Sequence, residues 1–599
     1  MKTMKPNSIK HETATLTSTD LVTDSYTLTI EIARSGEYQF DFADDKQPAL
    51  WFEASNAKFH LYLEGYFYLD SVNTFDPQIS LDHFLHHLNT KSVSCVQGQI
   101  AGGLFNLFIK NKHTGAIEIL NDRMGLLPLY ILETDDQFIF SNNQFNFIHR
   151  STLSTTACFE FLKYGYLPVS PSLFNQVERM GAGSRLFYIP QSTTIHRFPV
   201  LSFKSSSSST INDTQWLDAF EQYFSKLKES QVMMGLSGGY DSRWIAASIR
   251  DLQPQLLNFG TAGCPETKLA KASADLMGLS MDNKQFPVDG INQYAAELRS
   301  KFRTISSLEN VHVLHLSKCV EAKGANVYVD GFLGDVVVGD TYYREKPKRL
   351  REIFRFLAGK LQRSNPPVSL KEYAHNLYHQ DKQGLDDAEI TPFFGSHIAE
   401  ELSSRYQTWI QENKQDFVDH FDQLEHFNLL TRGRNLIVNG PLAIQQHTQV
   451  LTPFMDYRIL DLGINTPKDL KFAGKLYNAL WRKKFPELSR LRKAGTYGKA
   501  ADRPFMFRLK NLAFVLAKRV KRSWPQRTIN QGEEHYFNTE DYLANEDTKK
   551  LVSGIMNEGN KHLPGTVQQK FRNAYANGEM SNTLLLRYIS LLIYLGEER

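Results

Sequence analysis

The chain has 599 residues, of which 41% are apolar, 22% charged and 12% aromatic; at roughly 150 residues per domain it predicts about four domains or two large ones, and it excludes a disordered chain. Lys and Arg exceed Asp and Glu by only 68 − 65 = 3, so the molecule as a whole is no polycation for nucleic acid. Four cysteines, Cys95, Cys158, Cys264 and Cys319, lie far apart without metal-ligand spacing, which excludes a disulfide framework and a zinc ribbon and fits a reducing compartment.

The first sixteen residues carry lysines but no apolar core, so no signal peptide is expected and a cytoplasmic location is predicted. Up to about residue 203, short Val/Ile/Phe/Tyr-rich runs alternate with Gly, Asn and Asp turns: FHLYLEGYFYL (59–69), GGLFNLFIKN (102–111), AIEIL (116–120) and FIFSNN (138–143). These read as strands. Residues 204–213 begin with KSSSSST, a polar run that buries nothing and reads as a linker. From residue 214 the texture changes. QVMMGL (231–236) leads into SRWIAASIRDL, and QLLNFG (255–260) into ETKLAKASADLMG, a strand-helix alternation that predicts a parallel sheet with crossover helices. Beyond about residue 350 helical periodicity dominates, and no apolar run is long enough to span a bilayer.

Between the first of those strands and its helix stands Ser237-Gly238-Gly239-Tyr240-Asp241-Ser242. A helix N-terminus presents unpaired N–H groups and the positive end of the macrodipole to phosphate. The two glycines admit a close backbone approach, and the serines add hydroxyl donors. A carboxylate at Asp241 would be repelled by phosphate unless a cation lies between them, which implies Mg²⁺. The five fixed positions arise by chance about once in a thousand chains of this length, and the Walker spacing is absent.

SGGYDS resembles the pyrophosphate loop of the N-type ATP pyrophosphatases, and further segments resemble asparagine synthetase and its relatives, the β-lactam synthetases and lasso-peptide cyclases. NDRMGLLPLYIL (121–132) is similar to the family's RDRxGxKPLYY, with Asp122, Arg123, Gly125, Pro128, Leu129 and Tyr130 matching. Gly331-Phe332-Leu333-Gly334-Asp335 resembles the SGxGxDE loop, LTPFMDYRILDLGINTP (451–467) the VPFLDHRLVEFALSLP segment, and GKLYNALWRKKFPEL the GKxxLRxAxxxxLP segment. The resemblance implies an N-terminal class II glutamine amidotransferase-like domain (1–203), an α+β Ntn-hydrolase-like sandwich of antiparallel sheets. It implies for 214–599 an α/β parallel-sheet adenine-nucleotide α-hydrolase-like domain with a helical C-terminal part. It also implies ATP contacts at Leu236, Ser237, Gly238, Gly239, Asp241, Ser242, Phe259, Gly260, Asp330 and Gly331, Mg²⁺ ligands at Asp241 and Asp335, and a catalytic lysine at Lys493 or Lys475.

Departures matter as much. The family's glutaminase uses a cysteine directly after the initiator methionine, where its own amine serves as base; here position 2 is Lys2. A glutaminase domain retained as inactive scaffold is therefore expected. The family's glutamate after the loop aspartate is Val336, and Phe332 cannot take up a proton, leaving Glu266 or Glu321 as alternative bases. Asp456 and Arg458 are expected to brace the helical half, and Asp122 and Arg123 to pair within the first domain. Residues 499–527 hold nine Lys/Arg and one acid, with Leu509, Leu512, Leu516 and Val520 at helical spacing. This basic helix (504–522) is either a solvated face over a buried stripe or a peripheral contact for an anionic polymer, a peptide or a membrane surface; no nucleic-acid module accompanies it.

The function these features imply is an ATP-dependent, AMP-forming amide ligase that joins a small-molecule or peptide carboxylate to ammonia or an amine without hydrolysing glutamine, as in natural-product or polysaccharide biosynthesis. The alternatives are intramolecular ring closure and a catalytically silent nucleotide-binding scaffold.

Overall fold

The computed structural model describes residues 27–33, 38–43, 50–189, 196–199, 211–228, 231–260, 263–339, 350–360, 384–413, 420–523 and 539–596. Eleven described strands build the N-terminal half: β1 (Thr27–Ala33), β2 (Tyr38–Ala43), β3 (Trp51–Ser55), β4 (Phe59–Leu69), β5 (Ile100–Asn111), β6 (Ile117–Asn121), β7 (Tyr130–Glu133), β8 (Gln137–Ser141), β9 (Val177–Arg179), β10 (Ser184–Tyr188) and β11 (His196–Pro199). They form two antiparallel sheets, ordered β2-β1-β8-β7-β9 and β11-β10-β6-β5-β4-β3. Ile30, Ile131 and Phe140 of the first meet Phe108, Ile119 and Leu186 of the second in one core.

Both outer faces are covered as well, which explains why β4 and β5 read as nearly continuous apolar runs rather than alternating ones. The helix Pro77–Leu88 packs Leu81 and Phe84 on Leu61, Leu63 and Phe67. The other sheet is roofed by the helix Thr155–Tyr164 and by the distant helix Asn582–Leu595, through Phe161, Tyr588 and Tyr594. Phe145 and Tyr594 stack at 5.0 Å between centroids. Gly65 (φ +87°) and Gly103 (φ +140°) face each other's strands where a Cβ would lie 2.0 Å from Leu104 O and 2.2 Å from Tyr66 O, so only glycine lets β4 and β5 approach so closely.

The second half holds a five-stranded parallel sheet, β14-β13-β12-β15-β16, made of β12 (Val232–Gly235), β13 (Gln255–Phe259), β14 (Met281–Lys284), β15 (Val327–Val329) and β16 (Gln449–Leu451). The chain steps from β12 outward through β13 to β14, then crosses back to the other side of β12. That reversal opens a crevice beyond the C-terminal ends of β12 and β15, the place where open α/β sheets bind ligands. Serine-rich residues 204–210 lie outside the described residues, and Asn212 and Asp213 already start a helix with a capping box.

The two halves are joined by charge as well as packing. Arg123 pairs with Asp461 of the second half at 2.6 Å, and the Asp122 carboxylate accepts N–H bonds from Met124 and Leu126. The expected Asp122–Arg123 pair therefore does not form, because a short turn's own amides reach Asp122 while Arg123 points across the interface. Burial nevertheless holds Asp122 up at about 6. Asp456 caps the helix Tyr457–Asn465 and accepts a 2.7 Å bond from Tyr68 OH. Arg458 reaches Asp70 at 3.4 Å. Buried Glu64 receives Asn106, Asn142 and, at 3.3 Å, Arg303. A π-helical stretch, Leu429–Ile437, aims Arg434 at Gly125 O and Met180 O.

Candidate active site

The turn after β12 is fixed from inside. Leu236 is buried, its N–H on Leu257 O at 2.7 Å and its carbonyl taken by Asn258 Nδ2 at 2.7 Å, so this residue anchors the turn by both backbone groups. Ser242 Oγ accepts the Ser237 N–H at 2.9 Å and lies 2.9 Å from Ser237 Oγ, and Ser237 Oγ accepts the Gly239 N–H at 3.1 Å. Gly239 is the N-cap of the helix Tyr240–Ser248 and supplies no capping side chain. The orphan amides of the first turn and the positive helix end therefore face the crevice.

Asp241, in that first turn, accepts a 2.8 Å bond from Tyr477 OH. Burial and the neighbouring carboxylates push the Tyr477 phenol well up, so it remains a donor at any working pH. Gly331 and Gly334 bring the second loop against the first: a Cβ on Gly334 would lie 2.8 Å from Asp241 Cγ, and one on Gly331 would lie 3.3 Å from Ser242 N. Asp335, next in sequence after Gly334, therefore lies on the loop pressed against Asp241. Two hard oxygen donors beside a row of amides fit a divalent cation that completes its shell with phosphate oxygens; among the described residues no larger cluster of metal-ligating side chains occurs.

Lys493 reaches the same place by another route. Ala494 N–H bonds Gly238 O at 2.9 Å. The buried Arg243 guanidinium donates to Gly239 O at 2.7 Å, Gly238 O at 3.1 Å and Arg492 O at 3.1 Å. Burial draws Arg243 down to about 10, still charged at neutral pH. The 492–494 strap is thus bolted to the glycine turn, with Lys493 Nζ over the Tyr240 ring at 5.6 Å. Lys475 is placed differently: its ammonium donates to Gly359 O at 2.6 Å and Asp469 O at 3.1 Å.

The remaining sequence-predicted positions fall in several places. Phe259 and Gly260 end β13; Phe259 stacks on His312 at 5.8 Å, and Gly260 N–H bonds Lys284 O. Asp330 ends β15 with its N–H on Leu451 O, and burial holds its carboxyl up at about 6. Phe332 and Val336 are core residues. Glu266 backbone touches Gly238, 3.1–3.2 Å from an added Cβ, whereas Glu321 lies at the far end of its helix with His447 at 3.2 Å. Sequence reasoning did not single out Arg243 or Tyr477. The former directly follows the loop motif, a signal that was available; the latter sits at an unconstrained position of the lysine-bearing segment, which gave none.

A glycine turn at the switch point of a parallel sheet thus has Asp241, the loop of Asp335 and the Lys493 strap gathered around it. Residues 218–489 match the family model described as asparagine synthase. The chain is 20% identical over 410 residues to asparagine synthetase [glutamine-hydrolyzing] 1 of Bacillus subtilis (strain 168), covering 64% of its own length and 64% of that relative's. Solved structures give fainter likenesses. Glutamine phosphoribosylpyrophosphate amidotransferase from B. subtilis, complexed with ADP and GMP, matches at 13% identity and a TM-score of 0.19 over 51% of this chain and 69% of that one. A structure described as the allosteric regulatory enzyme of purine biosynthesis matches at 13% and 0.19 over 66% and 87%. Scores so low decide nothing about fold or function.

Proposed function

We propose that the chain is an ATP-dependent amide ligase of asparagine synthetase type, which adenylates a substrate carboxylate and passes the acyl group to ammonia or an amine without hydrolysing glutamine. A carboxylate oxygen attacks the α-phosphorus, the bond to the α,β-bridging oxygen breaks, and pyrophosphate leaves. The amine nitrogen then attacks the acyl carbon, AMP departs, and the nitrogen releases its surplus proton to solvent. In the first step charge accumulates on the departing oxygens, which the amides of Gly238, Tyr240 and Asp241 and the hydroxyl of Ser237 would stabilise; in both steps the Lys493 ammonium offsets charge at the α-phosphate. Asp241 and Asp335 are the residues that would hold Mg²⁺, whose contribution is to neutralise phosphate charge. The observation that carries this reading is the triple junction of glycine turn, carboxylate pair and Lys493 strap made by Arg243, Tyr477 and Gly334.

The N-terminal sandwich is read here as class II glutamine amidotransferase-like and inactive. Supporting this, Cys158 is buried with its thiol pushed far up, Cys264 caps a helix of the second half, and Cys95 lies on a surface helix.

Purified protein with Mg²⁺-ATP and a panel of carboxylates is expected to yield AMP and pyrophosphate with at least one acid, and Asp241→Asn to slow that release about 10²–10³-fold. ADP and phosphate as products, or no nucleotide uptake at roughly millimolar ATP, would remove the proposal. Turnover of glutamine to glutamate would remove its glutamine-independent part.

A further inference from the structure

The helix Pro504–Ser523 is turned the opposite way from a helix whose apolar stripe faces its core. Its buried side carries Phe507 and Arg508. Arg508 Nε donates to Leu357 O at 2.9 Å, Asn511 Oδ1 accepts the Gly498 N–H at 2.8 Å, and Phe514 packs edge-on to Tyr497 at 4.8 Å. The opposite side holds Phe505 (51% exposed), Met506 (42%), Leu509 (38%) and Leu516 (47%). Leu509 and Leu516 are seven residues apart and lie in line along one face. On the neighbouring helix Leu350–Ala358, Phe354 is 64% exposed. Leaving an apolar stripe of this length in water is unfavourable, and such faces mark interaction sites.

Charge decides the partner. Residues 504–523 include six Lys/Arg and no acid; Arg508 is turned inward and Lys510 pairs with Asp502 at 2.6 Å, so the charge left for a partner is that of Lys518, Arg519, Lys521 and Arg522 together with exposed Arg503. Two copies of this helix would repel, and a polyanion without an apolar phase leaves the stripe wet. An anionic lipid surface answers both features, taking the stripe into the acyl boundary and the cations onto its headgroups. We infer that this helix is a peripheral docking surface for an anionic bilayer, a property independent of the ligase chemistry.

The test is co-sedimentation of the full chain with vesicles of phosphatidylcholine alone or with about 30% phosphatidylglycerol. Binding is expected only to the anionic vesicles, falling at least tenfold when salt is raised to about 0.5 M. Replacing the two solvent-facing leucines (Leu509→Ser with Leu516→Ser) should weaken it about tenfold or more while leaving the melting temperature and ATP-dependent pyrophosphate release unchanged. Absence of binding at roughly millimolar lipid, or full retention in the double variant, overturns the inference. So does a concentration-dependent dimer without lipid that the double variant abolishes, which would assign the stripe to a second copy.

Discussion

Tyr477 holds Asp241 by a single 2.8 Å bond from a phenol that stays protonated. A neutral-to-charged hydrogen bond of this kind contributes about 1.5–3 kcal/mol. Removing it takes away one of the contacts that orient this carboxylate. Tyr477→Phe keeps the ring packing against Tyr240 and Trp244, so the fold should survive. The expected result is a Mg²⁺ requirement raised about tenfold and pyrophosphate release slowed by a similar factor, with the melting temperature little changed. An unaltered Mg²⁺ titration would show that the phenol does not position Asp241. Arg243 is less forgiving: three backbone carbonyls depend on its one buried guanidinium, and lysine cannot reproduce the fork.

The glycine turn shows how tightly the neighbouring segments define one another. A Cβ on Gly238 would sit 3.1 Å from Ala494 Cβ and from Glu266 O, so two separate segments would have to give way. Gly238→Ala is therefore expected to cost about 1–3 kcal/mol and, by lifting the 492–494 strap, to slow adenylation more than it lowers stability. Equal losses in both measurements would mean that the strap plays no part in the chemistry. Much of this was legible in the sequence. The strand-loop-helix around Ser237–Ser242 and the strand 59–69 stand where periodicity and turn residues put them, because local hydrophobic pattern and glycine placement determine such features. The partners of Arg123 and Tyr477, the settling of Lys475 on Gly359 and Asp469 carbonyls, and the outward turn of Leu509 and Leu516 were not legible. Each depends on which distant segment arrives alongside, and helical spacing alone does not say which side of a helix meets the core.

The cores do not respect the boundary at residue 203. Tyr130, Leu132 and Ile139 of the first half share one cluster with Phe571, Tyr588 and Tyr594, and Tyr594 also exchanges bonds with the Ser306 backbone at 3.1 and 2.9 Å. Residues 1–203 expressed alone would keep the Thr155–Tyr164 helix but leave in water the apolar surface that Phe571, Tyr588 and Tyr594 cover, enough to drive aggregation. That fragment is expected to be insoluble or to unfold non-cooperatively, while the intact chain melts with both halves coupled. A soluble fragment with a sharp thermal transition of its own would refute this expectation.

The roof that Asn582–Leu595 lays over the first sheet also sets a timetable. On a ribosome these strands emerge long before the helix that completes their cover, so the sheet is finished late. Until synthesis reaches Tyr588 and Tyr594, that sheet has the Thr155–Tyr164 helix but not the rest of its roof, and holding chaperones are the obvious candidates to shelter what stays bare during translation.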